Sequence, residues 1–282
     1  MRIAIASGKG GTGKTTVATN LAWTAARDGW NAAYVDCDVE EPNGHLFLKP
    51  EIAFSRPAGR LIPQVDESKC THCGLCGEIC QYSAIVCAGE KVLVYPELCH
   101  ACGGCVLVCE PGAITEVTRE IGVLETGFAG PVRFVQGRLN VGEAMSTPLI
   151  REVKAAAPAA GLVIIDSPPG TSCPAIESVR GADFVLLVTE PTPFGLNDLK
   201  LAVEMVRALK LPLAVAVNRA RFGDNETHKY CRRQGIEILV EIPDDRRVAE
   251  AYSRGILACE AAPEFRATMR ELLAVIPAGV CR

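Results

Sequence analysis

Aromatic residues make up only 5% of this 282-residue chain, with two tryptophans and four methionines. A core drawn from such a sequence is expected to be aliphatic and rich in alanine. No apolar run approaches the ~20 residues that a bilayer-spanning helix needs, which excludes a transmembrane class. The chain opens directly on the strand-like Arg2-Ile3-Ala4-Ile5-Ala6, so no signal or transit segment is expected. No basic stripe is present, and the formal net charge is −4, which excludes the usual electrostatic footprint of a nucleic-acid binder. The expectation is a cytoplasmic protein with no nucleic-acid partner. At 49% hydrophobic and 22% charged residues the sequence is globular, and its length allows one or two domains.

Cysteine is the exception to this plainness. There are 14, and nine of them (Cys70, Cys73, Cys76, Cys80, Cys87, Cys99, Cys102, Cys105 and Cys109) fall between residues 70 and 109. Without a secretion signal, disulfides are the wrong explanation, and clustering points to metal. The same region is acidic. Between Val65 and Glu110, six acids (Asp66, Glu67, Glu78, Glu90, Glu97, Glu110) face two bases (Lys69, Lys91), a balance equal to that of the whole chain. Such a surface either docks on a basic partner or is simply solvated.

Outside that region, short aliphatic runs alternate with longer amphipathic ones, the pattern of βα units around a parallel sheet. Strands are expected at 2–6, 32–35, 162–165, 184–188, 213–217 and 236–240. Helices are expected at 14–28, 149–157, 196–209, 227–234, 246–253 and 263–276. The rhythm stops near Ile62 and resumes near Leu149. In the gap Cys70, Cys73, Cys76 and Cys80 recur as Cys99, Cys102, Cys105 and Cys109, each displaced by 29 residues. Ser83-Ala84-Ile85 recurs as Gly112-Ala113-Ile114. A duplicated unit is therefore inserted into an α/β domain, and residues 115–141 read as hairpin strands leading back to the main sheet.

Gly8-Lys9-Gly10-Gly11-Thr12-Gly13-Lys14-Thr15 satisfies the P-loop pattern between a strand and a helix. Its glycines let backbone N–H groups turn toward phosphate oxygens at a helix N-terminus. Lys14 is placed to reach the β- and γ-phosphates, the Thr15 hydroxyl to bind Mg²⁺, and Thr16 to hold the α-phosphate. The second lysine, Lys9, makes the loop resemble the deviant-Walker ATPases of the MinD, ParA, Mrp and nitrogenase iron-protein superfamily. The resemblance implies an ATP-dependent sandwich dimer, either a homodimer or a heterodimer with a paralogue, in which Lys9 reaches the partner's nucleotide. A solvated loop lysine is the plain alternative. It further implies that Asp38, in Tyr34-Val35-Asp36-Cys37-Asp38, positions the attacking water. Asp166, in Ile164-Ile165-Asp166-Ser167-Pro168-Pro169-Gly170, corresponds to Walker B running into switch II, near Mg²⁺. A strand-end carboxylate can otherwise cap the next helix. Asn218-Arg219 and Pro243-Asp244 match where the family recognises adenine. Ile276-Pro277-Ala278-Gly279-Val280-Cys281-Arg282 lacks the basic amphipathic tail of MinD, so no membrane anchor is expected.

The cysteine block, C-x₂-C-x₂-C-x₃-C twice, resembles bacterial two-cluster ferredoxins. There the first three cysteines of a run hold one cubane and the fourth crosses to the other. The resemblance assigns Cys70, Cys73, Cys76 and Cys109 to one [4Fe–4S] cluster, and Cys99, Cys102, Cys105 and Cys80 to a second. The proline usual after the fourth cysteine is replaced by Gln81 in one run and arrives a residue late, as Pro111, in the other. Two structural zinc sites are the competing reading of eight thiolates. Cys37, Cys173, Cys231 and Cys259 are expected to be buried and inert, although Cys173 sits where the nitrogenase iron protein carries a cluster ligand. A C-terminal C-x-x-C of the Mrp carrier type is missing. His72 and His100, between cluster cysteines, either tune potential by hydrogen bonding or lie on the surface; His45 and His228 show no ligand spacing.

These readings combine into an α/β fold, a mostly parallel, doubly wound P-loop NTPase sheet over residues 1–62 and 120–282. An α+β two-cluster ferredoxin-like domain is inserted at 63–119. The expected function is an ATPase, slow without its partner, that couples dimerisation to electron transfer or to delivery of a cluster or metal to a redox or acceptor protein. The alternative is a MinD- or ParA-like spatial regulator whose clusters sense redox state or dock a partner, and nickel-inserting relatives suggest a maturation factor as a third course.

Overall fold

A computed structural model describes residues 1–220 and 225–280 of the chain. Cys281 and Arg282, and with them the end of the C-terminal segment, lie outside the described residues. The chain divides into two compact units, one of residues 1–56, 124–138 and 150–282 and the other of residues 57–123 and 139–149.

The larger unit begins with β1 (Arg2–Ala6), α1 (Lys14–Arg27), β2 (Ala32–Asp36) and α2 (Gly44–Leu48). Two long strands follow, β3 (Glu51–Val65) and, after the excursion, β6 (Ile114–Ala129), each of which carries the chain from one unit into the other. The excursion itself holds α3 (Leu75–Ile79), β4 (Ile85–Ala88), β5 (Lys91–Val94) and α4 (Gly104–Leu107). The chain continues with β7 (Val132–Leu139), α5 (Thr147–Ala155), β8 (Leu162–Asp166), α6 (Cys173–Val179), β9 (Phe184–Thr189) and α7 (Pro193–Ala208). It closes with β10 (Leu213–Asn218), α8 (Glu226–Gln234), β11 (Ile238–Ile242), α9 (Arg246–Ser253), α10 (Ala258–Ala261) and α11 (Pro263–Val280).

Strands run β11-β10-β9-β1-β8-β2-β7-β6-β3 across a nine-stranded sheet. From β11 to β7 every neighbouring pair is parallel. Continuously apolar strands such as Phe184–Thr189 are buried along their whole length, as expected when helices cover both faces of a parallel sheet. The core is aliphatic and alanine-rich, with Ala18, Ala22, Ala25, Ala214 and Ala216 among Ile3, Leu21, Ile164 and Leu186. Its aromatic pair is Tyr34 and Phe134, stacked with ring centres 5.7 Å apart.

Three elements depart from expectation. β3 starts at Glu51, well before Ile62. No strand is expected there from the sequence; β3 contains Pro57 and Pro63, and it is the last strand in the order, where proline is tolerated. β11 lies two residues later than expected, and its register against β10 shifts between Val215 and Ala216. Cys173 is exposed rather than buried, because it opens α6 instead of facing the core. Among the described residues no helix is long and apolar enough to cross a membrane.

Candidate functional site

The glycine-rich loop leaves β1 and feeds α1, and its backbone needs glycine at specific points. Gly11 and Gly13 hold φ of +77° and +95°, a region that side chains rarely adopt. A Cβ at Gly13 would also stand 2.4 Å from the Asn218 amide nitrogen. That same nitrogen donates to the Thr12 carbonyl at 2.8 Å, so the end of β10 is tied to the loop. At Gly8 a Cβ would collide with the backbone of Asp198.

Asp38 and Asp166 lie within reach of the Lys14 charge, and Asp36 adjoins Asp166. Asp36 and Asp166 end neighbouring parallel strands in the same register, and both are buried. The Tyr34 hydroxyl lies between them, donating to Asp166 Oδ2 at 2.9 Å, with Asp36 Oδ2 at 3.3 Å. Asp36 also accepts the N–H groups of Asp38 and Gly44, each at 3.1 Å. Burial raises the Asp36 carboxyl well above the ordinary range, and the charge of Asp166 adds to it. Burial likewise raises Asp166, although Lys14, Thr15 and Tyr34 oppose the shift. Asp38 is pushed up to about 7 by burial, reinforced by Asp166 and opposed by Lys14. Asp166 Oδ1 is buried without a hydrogen-bond partner. A buried, half-satisfied carboxylate next to a threonine hydroxyl fits a divalent cation.

A cleft of about 440 Å³ opens at the loop, the size of a small-molecule site. Of the residues singled out by sequence, Gly10, Gly11, Gly13, Lys14, Thr15, Thr16, Asp38, Asn218, Arg219, Pro243 and Asp244 line it. Among the described residues, Gly8, Lys9, Thr12 and Asp166 do not. Lys9 is half-buried, and its carbonyl accepts the Ser7 hydroxyl at 2.5 Å. Arg219, at φ +54°, pairs with Glu190 at 2.7 Å. Sequence reasoning missed Tyr34 and Asp36, whose role depends on strand order. It also missed the apolar wall of Ile242, Val248, Tyr252 and Phe265, which carries no local motif.

The smaller unit is a duplicated frame. His72, Gly74 and Ser83 hold φ of +56°, +83° and +52°, and Ala101, Gly103 and Gly112, 29 residues on, hold +52°, +71° and +63°. The backbone thus repeats with the cysteines. Cys70, Cys73, Cys76 and Cys109 line one pocket together with Cys87 and apolar side chains such as Val65, Val92 and Ile114. In the other set, Cys105 feels the charge of Cys99 and Cys102, and Cys80 packs with Cys105 around Ile85 and Ile114. Burial works to raise the Cys80 thiol, but N–H groups of Tyr82, Ala84, Ile85 and Ser83 outweigh it and lower the value. All eight thiols are free. Three-plus-one thiols in an apolar pocket, with backbone N–H groups on sulfur, fit an iron–sulfur cluster. His72 meets Glu67 at 3.2 Å, and the His100 ring stacks on Tyr82 with centres 3.5 Å apart.

Sheet order and loop together define a deviant-Walker P-loop nucleotide-binding fold. The description "CobQ/CobB/MinD/ParA nucleotide binding domain" matches residues 3–258, and the chain belongs to that family. An uncharacterized protein of Methanocaldococcus jannaschii is 34% identical over 96% of this chain and 95% of its own. The "Iron-sulfur cluster carrier protein" of the same organism is 24% identical, over 96% of this chain and 83% of its own. Among solved structures, the septum site-determining protein MinD of Pyrococcus horikoshii, complexed with Mg-ADP, aligns with a TM-score of 0.62. That match has 20% identity and covers 99% of this chain and 97% of that one; it speaks for the fold.

Proposed function

We propose that the chain is a cytoplasmic, ATP-hydrolysing iron–sulfur protein in which ATP-dependent dimerisation is coupled to electron transfer to an acceptor protein. The observation that carries this reading is the presence, in one chain, of the phosphate-loop cleft and of eight free cysteines on a duplicated backbone frame. In this reading the loop N–H groups from Gly8 to Thr16 and the Lys14 ammonium hold the phosphates of ATP. Thr15 and Asp166 hold Mg²⁺, which neutralises charge on the phosphate oxygens when bound. Tyr34 fixes the rotamer of Asp166 through the 2.9 Å bond. Asp38 orients the attacking water, Lys9 reaches the partner's nucleotide, and Asn218, Arg219, Pro243 and Asp244 surround the base. Cys70, Cys73, Cys76 and Cys109 ligate one [4Fe–4S] cluster, and Cys80, Cys99, Cys102 and Cys105 the other.

The test is an anaerobic redox titration followed by EPR, with and without MgATP. Two clusters per chain whose midpoints move negative with nucleotide support coupled electron transfer. Unmoved midpoints in protein that binds ATP would remove it. A second reading, cluster delivery, draws on the names of relatives called iron-sulfur cluster carrier proteins and on the exposure of Cys73 and Cys102. Transfer of iron and sulfide to an apo-ferredoxin separates the two.

A further inference from the structure

The duplicated backbone would make the two cluster sites near twins, but one buried charge breaks the symmetry. Arg60, on β3, is 3% exposed, and it is the buried charged residue of its unit among the described residues. Its Nη1 donates to the Cys99 carbonyl at 2.6 Å and its Nη2 to the Pro96 carbonyl at 2.7 Å. Its Nε is buried without a hydrogen-bond partner. The compensating carboxylate is buried as well, the Glu143 side chain being 7% exposed. It makes no hydrogen bond to the guanidinium and stands with Oε2 at 3.5 Å, farther off than the two carbonyls. Glu143 is itself held by Arg119 at 2.8 Å, and Arg119 by Glu97 at 2.9 Å. The charges therefore alternate from Arg60 to Glu97, and both ends meet the segment carrying Cys99. Arg60 does so through two bonds to its carbonyls, and Glu97 as a member of it whose side chain is 58% exposed to water.

The repeat maps Pro96 and Cys99 onto Glu67 and Cys70. There Glu67 contacts His72, and Lys69 pairs with Asp66. Glu67, Lys69 and Asp66 have side chains that are 54%, 60% and 43% exposed, so water and salt screen them. Arg60, with a side chain 1% exposed, acts through a medium of much lower effective dielectric.

We propose that Arg60 is the residue that sets the two clusters apart, holding the one ligated by Cys80, Cys99, Cys102 and Cys105 at the more positive potential. This rests on the reading of the eight cysteines as cluster ligands. Each [4Fe–4S]²⁺ core takes one electron from a low-potential one-electron donor and becomes [4Fe–4S]⁺, with no proton required. The added negative charge is stabilised by a nearby buried cation and not by screened surface ions. Electrons entering the unit accordingly settle first on the Cys99 cluster.

The test uses the full chain, purified anaerobically and titrated with dithionite while EPR follows each cluster. Iron and acid-labile sulfide are counted in parallel. Wild type gives two resolved midpoints. Arg60→Met moves the more positive one negative and leaves the other in place, closing the gap. Glu143→Gln, which removes the compensating carboxylate, moves the same midpoint positive. Arg60→Lys keeps the charge but loses the fork, and its midpoints stay near wild type, which a purely structural role would not predict. Should the Met variant fail to hold its clusters, the Lys and Gln variants decide. Eight irons per chain with a single midpoint, or with midpoints that none of the variants moves or that move together, overturn the role of Arg60. Fewer than eight irons in wild type, or zinc in their place, overturns the ligand reading instead.

Discussion

The two units of this chain hold their shape by different means. The nucleotide unit has a continuous apolar core in which Ile3, Leu21, Tyr34, Phe134, Ile164, Leu186 and Met269 are at or near complete burial. Around its thiols the cysteine unit buries a small cluster, Cys76, Ile85 and Ile114, with Ile121 and Leu149 buried elsewhere in the unit. Its helices are five and four residues long, and its own sheet is a pair of four-residue strands. Leu75, Ile79, Leu93, Leu98 and Leu107 remain exposed. Apolar burial at ~25 cal/mol per Å² can offset chain entropy in the first unit but not in a segment of the second kind, which needs cross-links. On the proposed reading of the eight cysteines as cluster ligands, metal–thiolate bonds are those cross-links.

The largest test of this contrast is to remove the metal. Stripping iron from the anaerobic protein with ferricyanide and EDTA is expected to unprotect amides of residues 57–123 in hydrogen exchange, while β1, β8 and β9 keep theirs. Retained protection across the cysteine unit would break the contrast. The reciprocal test cuts the other site. Lys14→Ala is expected to lower ATP hydrolysis by about 10²–10³-fold, the usual cost of losing one electrostatic contact to a reacting group. Iron content should hold at its wild-type value. Iron lost together with activity would show that the two units do not stand independently.

What was legible in the sequence follows the range of the interaction involved. β1, the glycine loop and α1 were read where they occur, because strand, turn and helix signals are local and agree. The 29-residue repeat of cysteines was legible for the same reason, and its matching positive-φ positions are the backbone side of one signal. The Tyr34 bond to Asp166 was not, since it joins residues 132 apart in sequence and exists only because β2 and β8 are neighbours. Asp38 was identified through the family resemblance as a residue following the second strand, whereas Asp36, which ends β2 beside Asp166, carries no such signal. Tyr252 and Phe265 reach the cleft from helices far down the chain. Arg60 reads as one more charged residue in a proline-broken segment, and only its partners Cys99 and Glu143 explain its burial.

The nucleotide unit also carries a cost of function that can be measured. Asp166 is raised above the ordinary carboxylate value of 3.8 by burial, so it is harder to ionise folded than unfolded. Wild type therefore loses stability as pH rises above 3.8, while below that value the protonated form carries no penalty. Asp166→Asn is expected to stabilise the nucleotide-free chain by about 1–2 kcal/mol near pH 7. The gain should vanish near pH 4, and MgATP hydrolysis should be lost at every pH. Urea denaturation across that range checks it, and a pH-independent gain would sink the explanation.

The smallest effect sharpens the same comparison from the surface. Asp28 closes α1 and accepts from the Arg270 guanidinium of α11 through two bonds of 2.7 Å, with Arg266 at 3.8 Å. The hydrogen bonds from Arg270 hold its carboxyl below 3.8 despite an opposing desolvation. A carboxylate lowered in this way stabilises the fold above 3.8 and loses that contribution as pH falls through its folded value. The Arg270 side chain is 54% exposed, so the pair is worth only about 0.2–1 kcal/mol and weakens in salt. Asp28→Asn should cost that little at pH 7 and nothing once both states are protonated. α11 is seated by Met269, Leu272 and Ile276, each at 0% exposure. A loss well above 1 kcal/mol would mean that charge, and not this buried face, fixes the helix, and the nucleotide unit would then resemble the cysteine unit in depending on specific links.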